Sequence, residues 1–352
     1  MAAFATIDDP GLYFSATLYV GNQPSSNPIT GVGFAPDTIW VKDRDATPNH
    51  VLFDSVRGLG VSWYPNKQDV EVTDANGITA FGADGFTVAD WSQPNTSGDD
   101  YVAWCWKMGT TTGISGSPST TPTGYSFNQT ADQSIIYYIG TSVAGGGPIA
   151  TLPHGLTKAP EFIIVKNLTA GARDTATYHI VPGNTKRTYL NSNVASNTTS
   201  TAWNDTTPGA LLFTVGANEA VNELSKYLVA YCFAPVKGYS KFGGYLGNSD
   251  NFGPFIYTGF RPAYVMLKCI SGASSEWAIF DNKRLGYNWD NNAIYANEAV
   301  AEVTIDNIDL LSNGFKIKNT GFTMNQSGDT YMYAAFAESP FVNSNGVPTN
   351  AR

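Results

Sequence analysis

The chain has 352 residues, 42% of them hydrophobic and only 14% charged, with a formal net charge of −9. That acidic balance, with no run of Lys or Arg, excludes a nucleic-acid backbone or an anionic membrane as partner. No apolar stretch approaches the ~20 residues of a membrane-spanning helix, and the start "MAAFATIDDPG" lacks the basic and apolar regions of a secretory leader, so the expectation is a soluble product made without classical secretion.

The composition favours strands. The chain holds 35 Gly, 19 Pro, 19 Tyr and 19 Phe, a mixture that suits short β-strands joined by tight polar turns. From the N-terminus, "LYVGN" is followed by the Pro-led run "FAPDTIWVKD", then "HVLFDSVRG", "ADGFTV" and the closing run "YVAWCWK". The same order returns as "YYIGT", "KAPEFIIVKN", "TYHIVPGNTKR", "ALLFTV", "YLVAYCFAP", and again as "GYLGN", "FRPAYVMLKC", "WAIFDNKRLG", "SNGFKI", "YMYAAFAESP". In each Pro-led run the Pro stands six residues before a Lys: Pro36 and Lys42, Pro160 and Lys166, Pro262 and Lys268. Tyr101, Tyr227 and Tyr331 open the closing runs and are expected to be equivalent, as are Gly21, Gly140 and Gly247, each read as a turn needing positive φ.

Recurrence of several elements in register marks a domain repeat rather than a local echo. The predicted fold class is all-β, with three tandem β-sandwich or jelly-roll-like modules of roughly 100 residues. The boundaries read as 1–112 with an N-terminal arm, a Ser/Thr/Gly/Pro linker at 113–124, 125–238, 239–342, and a tail at 343–352. The Pro-led and closing runs are apolar on both alternating faces and are therefore placed centrally. "ANEAVNELSKY", Ala217 to Tyr227, reads either as a short helix or as a loop. The modules can string out as a rod or close into a threefold-like ring, and the long first joint favours a compact pair with the first module tethered.

Few residues carry chemistry. His50, His154 and His179 fall in different repeats without metal-ligand spacing, Cys105 and Cys232 occupy matching places and read as buried hydrophobes, and no nucleophile elbow, P-loop, Rossmann fingerprint or HExxH stretch is present. The eight Glu show no paired glycosidase pattern, and the Asp/Asn clusters "NWDNNA" and "SGDDYV" lack EF-hand order. A non-enzymatic protein without cofactor or metal is the expectation. Asp54 with Arg57 recurs as Asp281 with Arg284, a spacing that braces a turn by a charge-assisted pair. Trp63, Tyr64, Trp91, Trp203, Tyr287 and Trp289 lie in polar loop segments, where aromatic faces on a rigid scaffold serve as ligand contacts. These six are the candidate ligand-binding residues.

The stretches "AFATIDDPGLYFSATLYVG", "HVLFDSVRG", "GITAFGADGFTV", "YVAWCWKMG", "APEFIIVKN", "YSKFGGYLGN", "IYTGFRPAY", "LLSNGFKI" and "SNGVPTNAR" resemble a family of structural proteins of marine tailed bacteriophages, often labelled tail-fibre or lectin-like. The resemblance implies a virion component assembled in the bacterial cytoplasm, with other virion proteins as partners. It leaves two positions open: a tail appendage that binds host-surface glycan, or a capsid decoration or vertex protein that braces the head. A polysaccharide-degrading enzyme is a third, weaker reading. Three like modules also suit threefold packing, within one chain or as a homotrimer.

Overall fold

The computed structural model describes residues 4–143, 146–272, 274–284, 288, 291–321 and 323–350. The fold is all-β and antiparallel, and among the described residues only two four-residue α-helical turns and one 3-10 turn interrupt the strands. The segment Ala217 to Tyr227 is mostly irregular: its helix is confined to Glu219–Asn222, where the Asn218 side chain caps the Ala220 N–H.

Three large sheets share one strand order. The first runs Phe14–Val20, Asp100–Trp106, Thr38–Asp43, Val51–Asp54, Val61–Trp63, Val72–Thr73. The second runs Gly124–Asn128, Gln133–Ile139, Tyr227–Phe233, Phe162–Asn167, Ala176–His179, Lys186–Tyr189, Asn197–Thr198, and so carries one additional edge strand. The third runs Ser240–Leu246, Thr330–Pro340, Phe260–Cys269, Ala278–Asp281, Asn291–Tyr295, Val303–Ile305. A small sheet lies over each, and in it a Phe is paired across strands with an aliphatic residue: Phe86 with Ile29, Phe213 with Leu152, Phe315 with Ile256.

The alternation along each central strand explains why it is apolar on both sides. Successive side chains of a strand point to opposite faces. Ile39 and Val41 enter an outer core with Phe86, whereas Trp40 enters a second core shared by all three sheets. Ile163 and Val165 face Phe213, and Ile164 faces the shared core. Val265 and Leu267 face Phe315, and Met266 the shared core. Within that core is a small apolar cavity of about 20 Å³ whose wall includes Trp40, Trp106, Ile164, Phe233, Met266 and Phe336, two from each sheet.

The ring therefore includes the first sheet, and the expectation of a tethered first module is corrected: its aromatic face would be left in water by a tether. The Thr/Ser-rich stretch is tied down as well. Ile114 packs on the second outer core, and the Ser119 N–H donates to Thr151 Oγ1 at 2.8 Å.

Two finer expectations also change. Strand register sets Tyr101, Leu228 and Tyr331 opposite Asp43, Asn167 and Cys269, so Leu228, not Tyr227, holds the matching place. Gly21, Gly140 and Gly247 do not have positive φ. They are required because a Cβ would lie 1.9 Å from Thr96 O, 2.1 Å from Glu223 O and 2.2 Å from Gln326 O. Beside each sits a wholly buried Asn, whose Oδ1 accepts the following N–H: Asn95 from Asn22, Asn222 from Thr141, Asn325 from Asn248.

Because one core joins all three sheets, Phe336→Ala is expected to cost about 3–5 kcal/mol and to weaken the whole chain together. Denaturant titration followed by tryptophan fluorescence and by far-ultraviolet circular dichroism should show coincident single transitions; separate transitions would show independent sheets. Gly140→Ala, which drives a methyl group into the Glu223 carbonyl, should lower stability by roughly 1–3 kcal/mol in the same titration.

Candidate functional site

Several buried ionisable residues lie at the joints between sheets. Asp54, His179 and Asp281 occupy the same place in their sheets, opposite Thr38, Phe162 and Tyr264. Asp54 pairs with Arg57 at 2.7 Å and accepts the Tyr231 hydroxyl of the second sheet at 2.7 Å. Asp281 pairs with Arg284 at 2.7 Å and accepts the Trp104 indole N–H of the first sheet at 2.9 Å. His179 donates Nε2–H to the Tyr333 carbonyl of the third sheet at 3.0 Å. From donor to acceptor, the joints thus run second to first, first to third and second to third. Both guanidiniums have a second carboxylate, Glu71 for Arg57 and Glu302 for Arg284. Burial opposes the charge of Asp281, yet the Arg284 guanidinium and its hydrogen bonds hold the carboxyl below the usual range. Buried carboxylates need this pairing, because an unpaired buried charge costs several kcal/mol.

The three repeated lysines are wholly buried. Lys42 donates to the Asp43 carbonyl at 2.6 Å, Lys166 to the Lys67 carbonyl at 3.2 Å, and Lys268 to the Asn193 carbonyl at 2.6 Å. Burial pushes each ammonium down to about 8. The latter two bonds cross from one sheet to a loop of its neighbour, so these lysines hold the ring.

All three histidines are fixed as neutral Nε2–H tautomers. His50 donates Nε2–H to the Tyr295 carbonyl, and its Nδ1 accepts the Trp40 indole N–H at 2.9 Å. His179 and His154 accept backbone N–H groups at Nδ1 from Val181 and Leu156. Burial, and then the Lys42 ammonium, lowers His50 to about 3, and burial lowers His179 to about 4. Among the described residues no group of three or more His, Cys, Asp or Glu is placed to hold a metal ion.

The candidate ligand-binding aromatics separate sharply. Trp63 is 0% exposed and donates its indole N–H to Tyr231 between the first two sheets. Trp203 is 1% exposed, packs edge-on against Tyr178 and donates to the Lys186 carbonyl. Neither touches solvent, so both are corrected from ligand contacts to packing residues; the polar letters around them belong to turns that fold over the ring. Tyr287 and Trp289 lie outside the described residues. Tyr64 and Trp91 remain, and the fold brings them together half-buried at the surface, with ring centroids 6.5 Å apart and planes inclined by 41°.

The pair rests on a rigid floor. Trp91 stands edge-on to the buried Phe53 at 6.0 Å and 89°. Gly77 clears the space beside it, since a Cβ there would press at 3.2 Å on both Phe53 and Trp91. Burial raises the Tyr64 hydroxyl, and the Asp69 and Asp74 carboxylates raise it further. Such an arrangement can stack against the apolar face of a ring-shaped ligand.

Sequence reasoning missed the Asn95, Asn222 and Asn325 clamps. The signal was present: each Asn stands six residues before Tyr101, Leu228 or Tyr331, in "PNTSGDDY", "VNELSKYL" and "MNQSGDTY". The mistaken equivalence of Tyr227 concealed it.

A family model described as a domain of unknown function, DUF7483, matches residues 9–340. The chain belongs to that family. No curated protein and no solved structure matches it.

Acid should loosen the joints held by histidine. The folded rings stay neutral while unfolded histidine protonates near 6.5, so their contribution is fully present above about pH 6.5 and is lost as pH falls toward 4. The limiting loss is about 1.4 kcal/mol per pH unit for each histidine. Denaturation midpoints measured from pH 7 to 4.5 should fall steadily, and His179→Gln should flatten the slope; a flat profile in the parent chain would contradict these tautomers.

Proposed function

We propose that this chain is a non-enzymatic structural component of a tailed-phage virion, of tail-fibre or appendage kind, that binds host-surface glycan through the face formed by Tyr64 and Trp91. The observation that carries the binding role is that half-buried aromatic pair on a rigid floor. The placement on a virion is supported by the family resemblance of the sequence motifs and by the ring of three like sheets, which suits a position on a threefold axis. The same ring supports the second reading, a decoration protein on a threefold or vertex position of the head.

Two measurements test this. Gold-labelled antibody against the purified chain should mark the tail or its fibres on intact virions, and label over the head would favour decoration. In pull-downs with purified host-surface polysaccharide, Trp91→Ala and Tyr64→Ala should each weaken retention about tenfold, equivalent to about 1.4 kcal/mol. Retention unchanged in both variants, with unchanged melting, would remove the aromatic pair from the role.

A further inference from the structure

A second surface, apart from the Tyr64 and Trp91 face, collects positive charge in this acidic chain. It is built where the second sheet passes into the third, at "APVKGYSK". The chain turns there with Val236 and Ser240 bonded to each other in both directions, Ser240 N to Val236 O at 2.9 Å and Val236 N to Ser240 O at 3.2 Å. Gly238 takes φ +81°, and a Cβ on it would lie 2.7 Å from Ala5, so the N-terminal arm is packed onto the turn. Thr6 N–H donates to the Lys237 carbonyl at 2.9 Å and fixes the arm as a wall.

Between this turn, the arm and Thr258 lies an open cavity of about 590 Å³, with Lys158, Lys237 and Lys241 on its lining. That volume falls within the range of small-ligand sites. Two of the lysines are held in place. Lys158 Nζ donates to the Pro235 carbonyl at 2.7 Å and pairs with the buried Asp132 at 3.3 Å. Lys241 Nζ donates to the Tyr257 carbonyl at 2.7 Å and stands 5.4 Å from the centre of the Tyr257 ring. Lys237 is exposed at the tip of the turn. Two carboxylates bear on the group: Asp132, which also accepts the Thr157 N–H and hydroxyl, and Glu161, whose carboxyl is raised by burial and lowered in part by the Lys158 and Lys241 charges. Three ammoniums against two carboxylates leave a local excess of positive charge where the whole chain carries −9.

Aromatic surface adjoins Lys241 through Tyr257. Tyr257 and Phe255 are 54% and 47% exposed on the strand Phe255–Tyr257, and as residues two apart they face the same side. We propose that this surface is a binding site for an acidic oligosaccharide, its sugar rings lying against Tyr257 and Phe255 and its carboxylates meeting Lys237 and Lys241. Separate lysines beside flat rings match carboxylates spaced along a sugar chain. A nucleic acid needs a continuous cationic track and would be repelled by the rest of the molecule.

Calorimetric titration of the intact chain at low ionic strength with trigalacturonate, with its neutral methyl ester and with oligo-thymidylate decides it. The acid should bind, the ester at least tenfold more weakly, and the oligonucleotide more weakly than the acid. Lys237→Gln should reduce affinity for the acid about threefold, and Lys237→Gln with Tyr257→Ala at least tenfold, at unchanged melting temperature. Trp91→Ala should leave this binding untouched, so the site stands or falls independently of the Tyr64 and Trp91 face. Absence of binding, equal binding of ester and acid, tighter binding of the oligonucleotide, or loss through Trp91→Ala instead of Lys237→Gln would each overturn the proposal.

Discussion

The strands Thr38–Asp43, Phe162–Asn167 and Phe260–Cys269 carry apolar side chains on both faces, so water must be kept from both. A small sheet supplies the outer cover in each case, but nothing within a single sheet can supply the inner one. The inner faces therefore meet each other. Trp106, Phe233 and Phe336 come together there with Trp40, Ile164 and Met266, and the remaining architecture follows from holding three twisted sheets at one centre. A small void persists because rigid aromatic rings from three directions do not tile space completely.

Polar groups then fix how the sheets meet. Burial of an aromatic face is nearly indifferent to rotation, whereas a carboxylate that must accept from one particular hydroxyl or indole is not. Tyr231 on Asp54, Trp104 on Asp281 and His179 on the Tyr333 carbonyl provide that directionality at the three joints, and the Asp–Arg pairs of the first and third sheets hold the acceptors in orientation. The third joint uses a neutral imidazole in place of a carboxylate because its partner is a carbonyl, which needs a donor. Lys166, Lys268 and His50 add further bonds between sheets, so these buried groups, with His179, belong to the ring.

What the surface keeps is aromatic and peripheral. Tyr64 with Trp91 lies on the first sheet's side of the molecule, and Tyr257 with its lysines lies where the second sheet hands over to the third. The first pair rests on the buried Phe53, and the second site adjoins a turn packed by the N-terminal arm. Ligand contacts on such supports lose little conformational freedom on binding, which suits a protein whose proposed work is adhesion.

The sequence by itself determined the all-β class, the two-faced burial of the Pro-led and closing strands, and the short span between Asp and Arg in each pair, because each depends on alternation and spacing along one strand or turn. It could not show that Gly21, Gly140 and Gly247 are demanded by carbonyls more than seventy residues away, nor distinguish Tyr64 and Trp91 from Trp63 and Trp203. All four aromatics stand among polar turn residues, and whether a ring meets solvent or a neighbouring sheet is set by how the turn folds back. Tertiary structure alone decided that Trp63 would be covered by Tyr231, that the linker would be bound rather than free, and that the first sheet would join the ring, since those outcomes rest on contacts between residues the chain order keeps far apart.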